Sequence, residues 1–355
     1  MHASFANRIS RVFLIAALGA GALVVLPQGA WAQPAAVQTA QLATQTQMLQ
    51  SPLSPGFNQG KVPALYDGEL EDLGPQYLLV AKPKVAHKWF TATADWQTYY
   101  TNNAALAPNN KGASDVSVAT AQLMAQAAAY TFGDLQVQPR VGFRYSAYWY
   151  GVLSGRDSRV GGVPVKYSDF MTYTPFAEAS YQYGNFLGST GVRYSAFTND
   201  TKISEGTFYQ EWAPYWLFGY QWQISKSQML LVQYDGDFRF SNTANPTGLL
   251  TTGINDRTDN AVSVIYSYIL GGKWAFQPTY RYQRSYYTDS KSNPIPGEGR
   301  RDDTYNTVSL VVAYYFTDWC AARVFTSYEW RNSSAPGNDY RVANAGLGAS
   351  LNYKF

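Results

Sequence analysis

Apolar and polar residues alternate at every second position through most of the chain, and residues 137–152 show the pattern most clearly. Val141 and Phe143 fall on one face of this stretch, and Arg140 and Arg144 fall on the other. Successive side chains of a β-strand point to opposite faces of the sheet. The pattern therefore predicts strands with one apolar face and one polar face.

About twelve stretches of this kind follow one another. Several run for ten to sixteen residues, longer than the five or six that are usual in soluble proteins. Tilted strands of about nine to eleven residues are needed to cross a bilayer. The twelve predicted strands begin near Trp89, Asp115, Val137, Asp169, Thr190, Phe208, Met229, Asp259, Trp274, Thr304, Ala321 and Arg341.

The connections between these strands alternate strictly between long and short. The long, polar connections are residues 101–114, 154–168, 198–207, 241–258, 288–303 and 332–340. The short connections are residues 133–136, 184–189, 223–228, 270–273 and 317–319. Long extracellular loops that alternate with short periplasmic turns are typical of outer-membrane barrels, whose two termini both lie in the periplasm. A soluble β-sandwich gives no reason for this regularity.

The composition fits a protein whose surface faces water only in part. Charged residues make up 14% of the chain and aromatic residues 16%, whereas about a quarter of the residues of a soluble protein are charged. The mean hydropathy is −0.27, which argues against a bundle of transmembrane helices. Strands with one apolar and one polar face explain both values.

The N-terminal region predicts export. Arg8 and Arg11 precede an apolar stretch at residues 12–26, and small residues at 30 and 32 form a cleavage site. We interpret residues 1–32 as a signal peptide cleaved after Ala32, because the apolar stretch is shorter than the roughly 20 residues of a membrane-spanning helix. Residues 33–88 are rich in Gln, Ala and Pro, and are predicted to form an irregular periplasmic extension. The barrel is assigned to residues 89–355.

The end of the chain carries a recognisable signal. Leu351, Tyr353 and the terminal Phe355 continue an alternating apolar series from Ala343. This resembles the C-terminal strand of bacterial outer-membrane β-barrel proteins, and the chain looks porin-like without matching one family. The resemblance implies that the barrel assembly machinery recognises this strand and that it pairs with the first strand. The predicted fold class is all-β: a transmembrane antiparallel up-and-down β-barrel of about 12 strands with an N-terminal irregular extension.

Aromatic residues near the strand ends are expected to form interfacial girdles around such a barrel. The alternative is that they are ordinary core residues. The candidates are Trp89, Tyr99, Tyr100, Trp149, Trp222, Trp274, Tyr314 and Tyr353.

Charged residues on the polar faces are the candidates for lining the lumen. Rings of charge inside a barrel tune the passage of ions and solutes. Alternatively, Arg–carboxylate pairs fill the interior and make a closed, rigid barrel. These candidates are Arg140, Arg144, Glu178, Arg193, Glu211, Asp235, Asp237, Arg239, Arg281, Arg323, Glu329 and Arg331.

Catalytic and metal chemistry have little support. His2 lies in the signal peptide and His87 precedes the first strand, at the periplasmic rim, so neither is well placed as the general base of an outward-facing hydrolase. The acids Asp256, Asp259 and the pair Asp302–Asp303 are interpreted as solvated loop residues. Cys320 is the only cysteine, so no intramolecular disulfide is expected. The near-neutral charge gives no basis for nucleic-acid binding.

The sequence thus predicts a narrow passive channel for small polar or charged solutes, in the outer membrane of a Gram-negative bacterium. It is predicted to be no enzyme and to need no cofactor or metal. Its partners would be outer-membrane lipid and lipopolysaccharide, the assembly machinery and small solutes. A structural or partner-binding barrel for envelope assembly, export or adhesion is the alternative. An outer-membrane lipid- or peptide-hydrolase is a third hypothesis.

Overall fold

The computed structural model describes residues 87–355, apart from residues 105, 107–111, 156–158, 161–162, 165–168, 200–206, 245–249, 254, 290–291 and 293–298. The signal peptide predicted at residues 1–32, its cleavage and nearly all of the extension predicted at residues 33–88 lie outside the described residues, and remain predictions.

Twelve long antiparallel strands form the body of the protein, each beginning within about four residues of its predicted start. They are β1 Phe90–Thr101, β2 Ser114–Gln126, β3 Leu135–Tyr150, β4 Phe170–Tyr183, β5 Phe186–Thr198, β6 Thr207–Ser225, β7 Gln228–Ala244, β8 Arg257–Leu270, β9 Trp274–Tyr287, β10 Asp302–Thr317, β11 Cys320–Ser333 and β12 Tyr340–Lys354.

Each strand pairs with its neighbour in sequence, and β12 pairs with β1, so the sheet closes into a barrel. At the seam, the backbone N–H of Phe90 donates to the carbonyl of Phe355, and that of Phe355 donates to the carbonyl of Phe90, both at 3.0 Å. Closure leaves no unpaired strand edge, which in lipid would cost several kcal/mol per unsatisfied group. The predicted fold class and the pairing of the last strand with the first are confirmed.

The connections divide the barrel into two ends. We call the end with the short links the short-turn end; the start of β1 and the end of β12 also lie there. The opposite end is called the loop end. Turn glycines such as Gly184 and Gly271 have positive φ, a conformation that glycine adopts without steric cost. At the short-turn end, the extra segment Tyr130–Phe132 pairs with the start of β3. The predicted alternation of long and short connections is therefore observed.

The two faces of the sheet differ as predicted. The exposed large side chains include Phe143, Phe218, Val264, Leu310 and Leu347, and all of these belong to the apolar, outer series of their strands. Hydrogen-bonded polar residues occupy the inner series, as in the contact of Thr120 with Ser146 at 2.9 Å. No helix in the described part of the chain is long and apolar enough to cross a membrane.

Candidate functional site in the barrel interior

The charged residues of the inner wall at the loop end form two ion-paired groups, and the Tyr287 ring lies between them, 5.7 Å from the Arg257 guanidinium and 4.4 Å from that of Arg301. We call the two groups together the charged belt. Arg239 on β7 is the centre of the larger group: its Nε and Nη2 donate to Asp237 at 2.9 Å, and its Nη1 donates to Glu211 at 3.1 Å. Its Nε also lies 2.8 Å from Asp259 on β8. The belt comprises Arg193, Glu211, Asp237, Arg239, Arg257, Asp259, Arg301, Asp303 and Arg331.

Asp303 holds the far part of the belt together. It is completely buried, and it accepts hydrogen bonds from Arg301 at 2.9 and 2.5 Å and from Tyr305 at 3.1 Å. Arg331 lies 3.9 Å away. A buried carboxylate keeps its charge only when several donors replace water, so these contacts make Asp303 a structural residue.

Three further acid–base contacts lie nearer the middle of the barrel, and two of them span a whole strand. Arg281 on β9 reaches across β8 to Asp235 on β7, with two hydrogen bonds of 2.7 Å. The side chain beneath it on β8 is Ser263, which accepts a hydrogen bond of 3.0 Å from the same guanidinium. The small size of the middle residue makes this reach possible.

The second strand-spanning pair crosses β12 beside the seam. Arg323 on β11 donates to Asp95 on β1 at 2.7 and 2.9 Å. The intervening residue is Gly348, where an added Cβ would lie 3.1 Å from the guanidinium carbon. This bidentate pair therefore links the two strands that flank the last one.

The third contact joins neighbouring strands: Arg140 on β3 pairs with Glu178 on β4 at 3.3 Å. Tyr215 on β6 donates to the same carboxylate at 2.6 Å, reaching across β5 at Gly191. A Cβ at position 191 would lie 2.7 Å from the Glu178 Cβ and 2.4 Å from the Ala177 carbonyl oxygen. A side chain at position 191 would therefore clash with β4, and glycine lets β5 lie close to it beneath the Tyr215 contact.

Aromatic side chains occupy the rest of the wall at the loop end. Tyr148 stacks on Phe170 with ring centroids 4.3 Å apart, and Phe197 contacts Tyr209 edge-on at 5.3 Å. We call this group the aromatic cluster. It comprises Val116, Val118, Tyr148, Tyr150, Phe170, Phe197, Phe208 and Tyr209.

Leu106, in the connection between β1 and β2, packs against the inner wall at the loop end. Leu106 is buried against Tyr340 and Val342, with Tyr305 beside them, and these three belong to the inner series of β12 and β10. Leu106 is the one non-glycine residue with positive φ in the described part of the chain. Asn103 holds the turn by donating to the carbonyl of Arg341 at 3.0 Å. The mouth is therefore narrowed on this side.

The predicted lumen candidates all lie on the inner face, and the structure brings most of them into ion pairs. Arg144 differs, because its Nε donates to the neutral Gln122 at 2.9 Å. Glu329 accepts hydrogen bonds from Thr307, at 3.0 Å, and from Tyr340.

Two interpretations of the sequence were wrong. Asp259 and Asp303 are not solvated loop acids: β8 begins at Arg257 and β10 at Asp302, so both acids fall on inner positions of strands and are ion-paired. Tyr99 is not an outer girdle residue. It is only 8% exposed and contacts Phe325 at 6.0 Å, because it shares the inner series of Asp95.

Several residues of the site were missed by the sequence analysis. Asp95, Arg257 and Arg301 all take part in the inner ion pairs. Asp95 could have been found, since it alternates in phase with Gln97 on the polar face of β1. Arg301 precedes its strand, and its partner Asp303 became recognisable only from the observed strand boundary.

The structure places His87 at the short-turn end, where its ring packs edge-on against Trp89 at 4.7 Å and its Nε2 lies 3.0 Å from the Gln126 carbonyl oxygen. No group of three or more potential metal ligands occurs among the described residues. These observations identify no catalytic residue, and the absence of enzymatic activity stays a prediction.

A closed antiparallel barrel with an even number of strands, an apolar outer face and a polar interior is the architecture of transmembrane barrels of the bacterial outer membrane. The fold is that of an outer-membrane β-barrel.

No family model matches the chain, and no curated protein matches it. Solved structures similar to it include an outer membrane channel from Pseudomonas putida F1, with a TM-score of 0.44 and 10% identity over 76% of this chain and 97% of that one.

The transport unit of the autotransporter AIDA-I from Escherichia coli gives a TM-score of 0.42 and 8% identity, over 77% of this chain and 93% of that one. A loop-deletion mutant of OmpT, an outer membrane protein of Vibrio cholerae, gives a TM-score of 0.36 and 14% identity, over 74% of this chain and 99% of that one.

Proposed function

We propose that the protein is a passive channel that lets small polar or charged solutes cross the outer membrane. The observation that carries the proposal is water access to charged side chains inside the barrel. Arg140, Arg193 and Asp235 lie on the inner face, yet 26%, 21% and 24% of their side-chain surface is exposed to solvent. A dry, sealed core would have buried them completely.

Conductance across a planar bilayer tests this function. Purified protein, folded in detergent and added to the bilayer, is expected to give discrete current steps in KCl. Arg140→Ala should change the step size because it removes a charge from the water-accessible wall. Arg284→Ala is the matched control, since Arg284 is an outer, exposed residue paired with Asp302. Folded, inserted protein that never conducts would contradict the channel.

A second candidate is a structural or partner-binding barrel. The observation that favours it is the filling of the loop end by the aromatic cluster and by Leu106. Electrical silence of correctly folded protein would support this function over the channel. A hydrolase would need new evidence: cleavage of lipid or peptide that is lost in His87→Ala.

We further propose that the signal peptide is cleaved after Ala32 and that the barrel inserts into the outer membrane of a Gram-negative bacterium. There it would contact lipid and lipopolysaccharide. The assembly machinery would bind the exposed side chains of Leu351 and Tyr353 on β12 and of Phe355 directly after it. Phe355→Ala should lower the amount of folded barrel in outer-membrane fractions. Leu347→Ala, an outer residue of the same strand, should lower it much less, and equal losses would argue against a terminal signal.

A further inference from the structure

The charges of the inner wall balance on two thirds of the barrel and fail to balance on the remaining third. This count does not include Asp115 and Lys354, which lie at the two mouths of the barrel. Strands β7–β9 carry three acids and three bases: Asp235, Asp237, Asp259, Arg239, Arg257 and Arg281. Strands β10–β12 with β1, and the residue before β10, also carry three of each: Asp95, Asp303, Glu329, Arg301, Arg323 and Arg331. Strands β3–β6 carry three arginines and two acids: Arg140, Arg144, Arg193, Glu178 and Glu211.

The surplus charge is that of Arg144. No carboxylate of the described chain forms an ion pair with it, and its single hydrogen bond joins Nε to Gln122. Among the described residues, the two Nη groups have no hydrogen-bond acceptor, and they are not among the buried polar atoms that lack a partner. Arg144 is half-buried, so its two Nη groups keep contact with solvent inside the barrel.

The neighbouring charges do not neutralise Arg144. Glu178 acts on it favourably, but this carboxylate already binds Arg140 and Tyr215. Arg193 repels it, although Arg193 itself is bound to Asp237. The charged groups near Arg144 are thus already paired with other residues. Its two Nη groups lie in one plane and match the two oxygens of a carboxylate.

An apolar surface lies beside these two Nη groups. Phe176 on β4 is paired with Gly142 on β3, one inner position away from Arg144. Its ring covers the glycine so closely that a Cβ at position 142 would lie 2.5 Å from the Phe176 Cζ. The ring therefore extends over the wall between Arg140 and Arg144, where it can contact the hydrocarbon part of a solute.

From the surplus charge, the solvent-accessible Nη groups and the adjacent ring, we propose that Arg144 and Phe176 form a binding site for small organic carboxylates that pass through the barrel. The proposal rests on the channel function above, and names its preferred substrates. Arg144 binds the carboxylate, and Phe176 contacts the apolar part. The paired arginines of the charged belt take no part.

The test compares Arg144→Gln with the wild type in planar bilayers, using benzoate as the probe. The wild type is expected to favour anions in a KCl gradient, and benzoate should reduce its chloride current while uncharged benzamide does not. In Arg144→Gln the anion-to-cation permeability ratio should fall about 16-fold, because one unit charge about 5 Å from the ion in a water-like medium favours an anion about fourfold and disfavours a cation about fourfold. The concentration of benzoate for half-block should rise about tenfold, since one charge-assisted contact is lost.

Two further variants separate binding from simple charge. Arg144→Lys should keep the preference for anions and lose most of the benzoate block, because an ammonium offers no planar fork. Arg284→Gln makes the same substitution on the outer face and should change neither property. Gel mobility of heated and unheated samples checks that each variant folds.

The outcomes distinguish this inference from the channel function. If the protein conducts and Arg144→Gln keeps the wild-type selectivity and benzoate block, the carboxylate site is wrong and the channel stands. If the folded protein does not conduct, the channel fails. Calorimetric titration of the detergent-solubilised protein with benzoate then decides: binding that is lost in Arg144→Gln supports the site, and no binding overturns it.

Discussion

The charged belt and the wall around Arg144 use the same residue type in opposite ways. In the belt, each arginine contacts at least one carboxylate, and Arg239 contacts three. Among the described residues, the one hydrogen bond of the Arg144 guanidinium goes to the neutral amide of Gln122. Buried pairs gain little net stability but are costly to break, so the belt fixes the shape of the barrel. A surplus charge that water can reach is available to a solute instead.

The comparison extends to the small residues beneath the strand-spanning contacts. Gly348 and Ser263 each lie under an arginine that reaches over them to an aspartate. These contacts couple strands that share no backbone hydrogen bonds. The wall near Arg144 has its own version, with Gly191 beneath the contact of Tyr215 with Glu178. Contacts of this kind therefore occur both beside the charged belt and near Arg144, so they do not distinguish the two regions, whereas the charge balance does.

The largest effect is expected from breaking the belt at Asp303. Asp303→Ala leaves Arg301 buried without its carboxylate, and should lower the free energy of unfolding by about 3–5 kcal/mol. Urea titration in detergent, followed by tryptophan fluorescence, measures it. Asp302→Ala is the control, because its partner Arg284 is exposed and the loss should stay below about 1 kcal/mol. Equal losses would contradict a structural belt.

A somewhat smaller effect is expected from Gly191→Ala. The new Cβ would approach the Ala177 carbonyl oxygen to 2.4 Å, and relief of such a clash costs about 3 kcal/mol or less. Gly219→Ala, whose Cβ would meet only the flexible side chains of Leu231 and Leu187 at 3.0–3.5 Å, should cost less in the same urea titration. The idea of a required glycine fails if the two variants are equally stable.

The smallest effect on stability is expected at the mouth. Leu106→Ala removes the side chain that packs on Tyr340 and Val342, with a loss of about 2 kcal/mol. The same change should widen the mouth, and thereby raise the single-channel conductance without altering ion selectivity, which depends on Arg144. A conductance equal to that of the wild type would show that Leu106 does not limit flow.

The architecture could be predicted from the sequence because the alternation of apolar and polar residues at every second position depends only on neighbouring residues. The alternation around Phe143 and Arg144 identified both faces of β3, and the loop pattern identified the barrel. The contacts inside the barrel could not be predicted from the sequence, because they depend on the register of the strands and on the closure of the barrel. Arg323 and Asp95 are 228 positions apart and become neighbours only when β12 pairs with β1.

The errors came from strand ends, where periodicity is weakest. Asp303 lay one residue before the predicted strand start at Thr304, and so was interpreted as a loop acid. Tyr99 was assigned to the outer girdle because it lies near the end of a strand, although it is in phase with the inner Asp95. The surplus charge at Arg144 could not be predicted either, since the partners of the other arginines were unknown.

The central claim is that lipid covers the apolar outer face of the barrel. The most direct test is refolding of the urea-denatured protein by dilution, with and without phospholipid vesicles, followed by circular dichroism and sedimentation. The account predicts a folded β-barrel that floats with the vesicles, and aggregated protein in buffer alone. A folded, monomeric and soluble protein in buffer without detergent or lipid would contradict it.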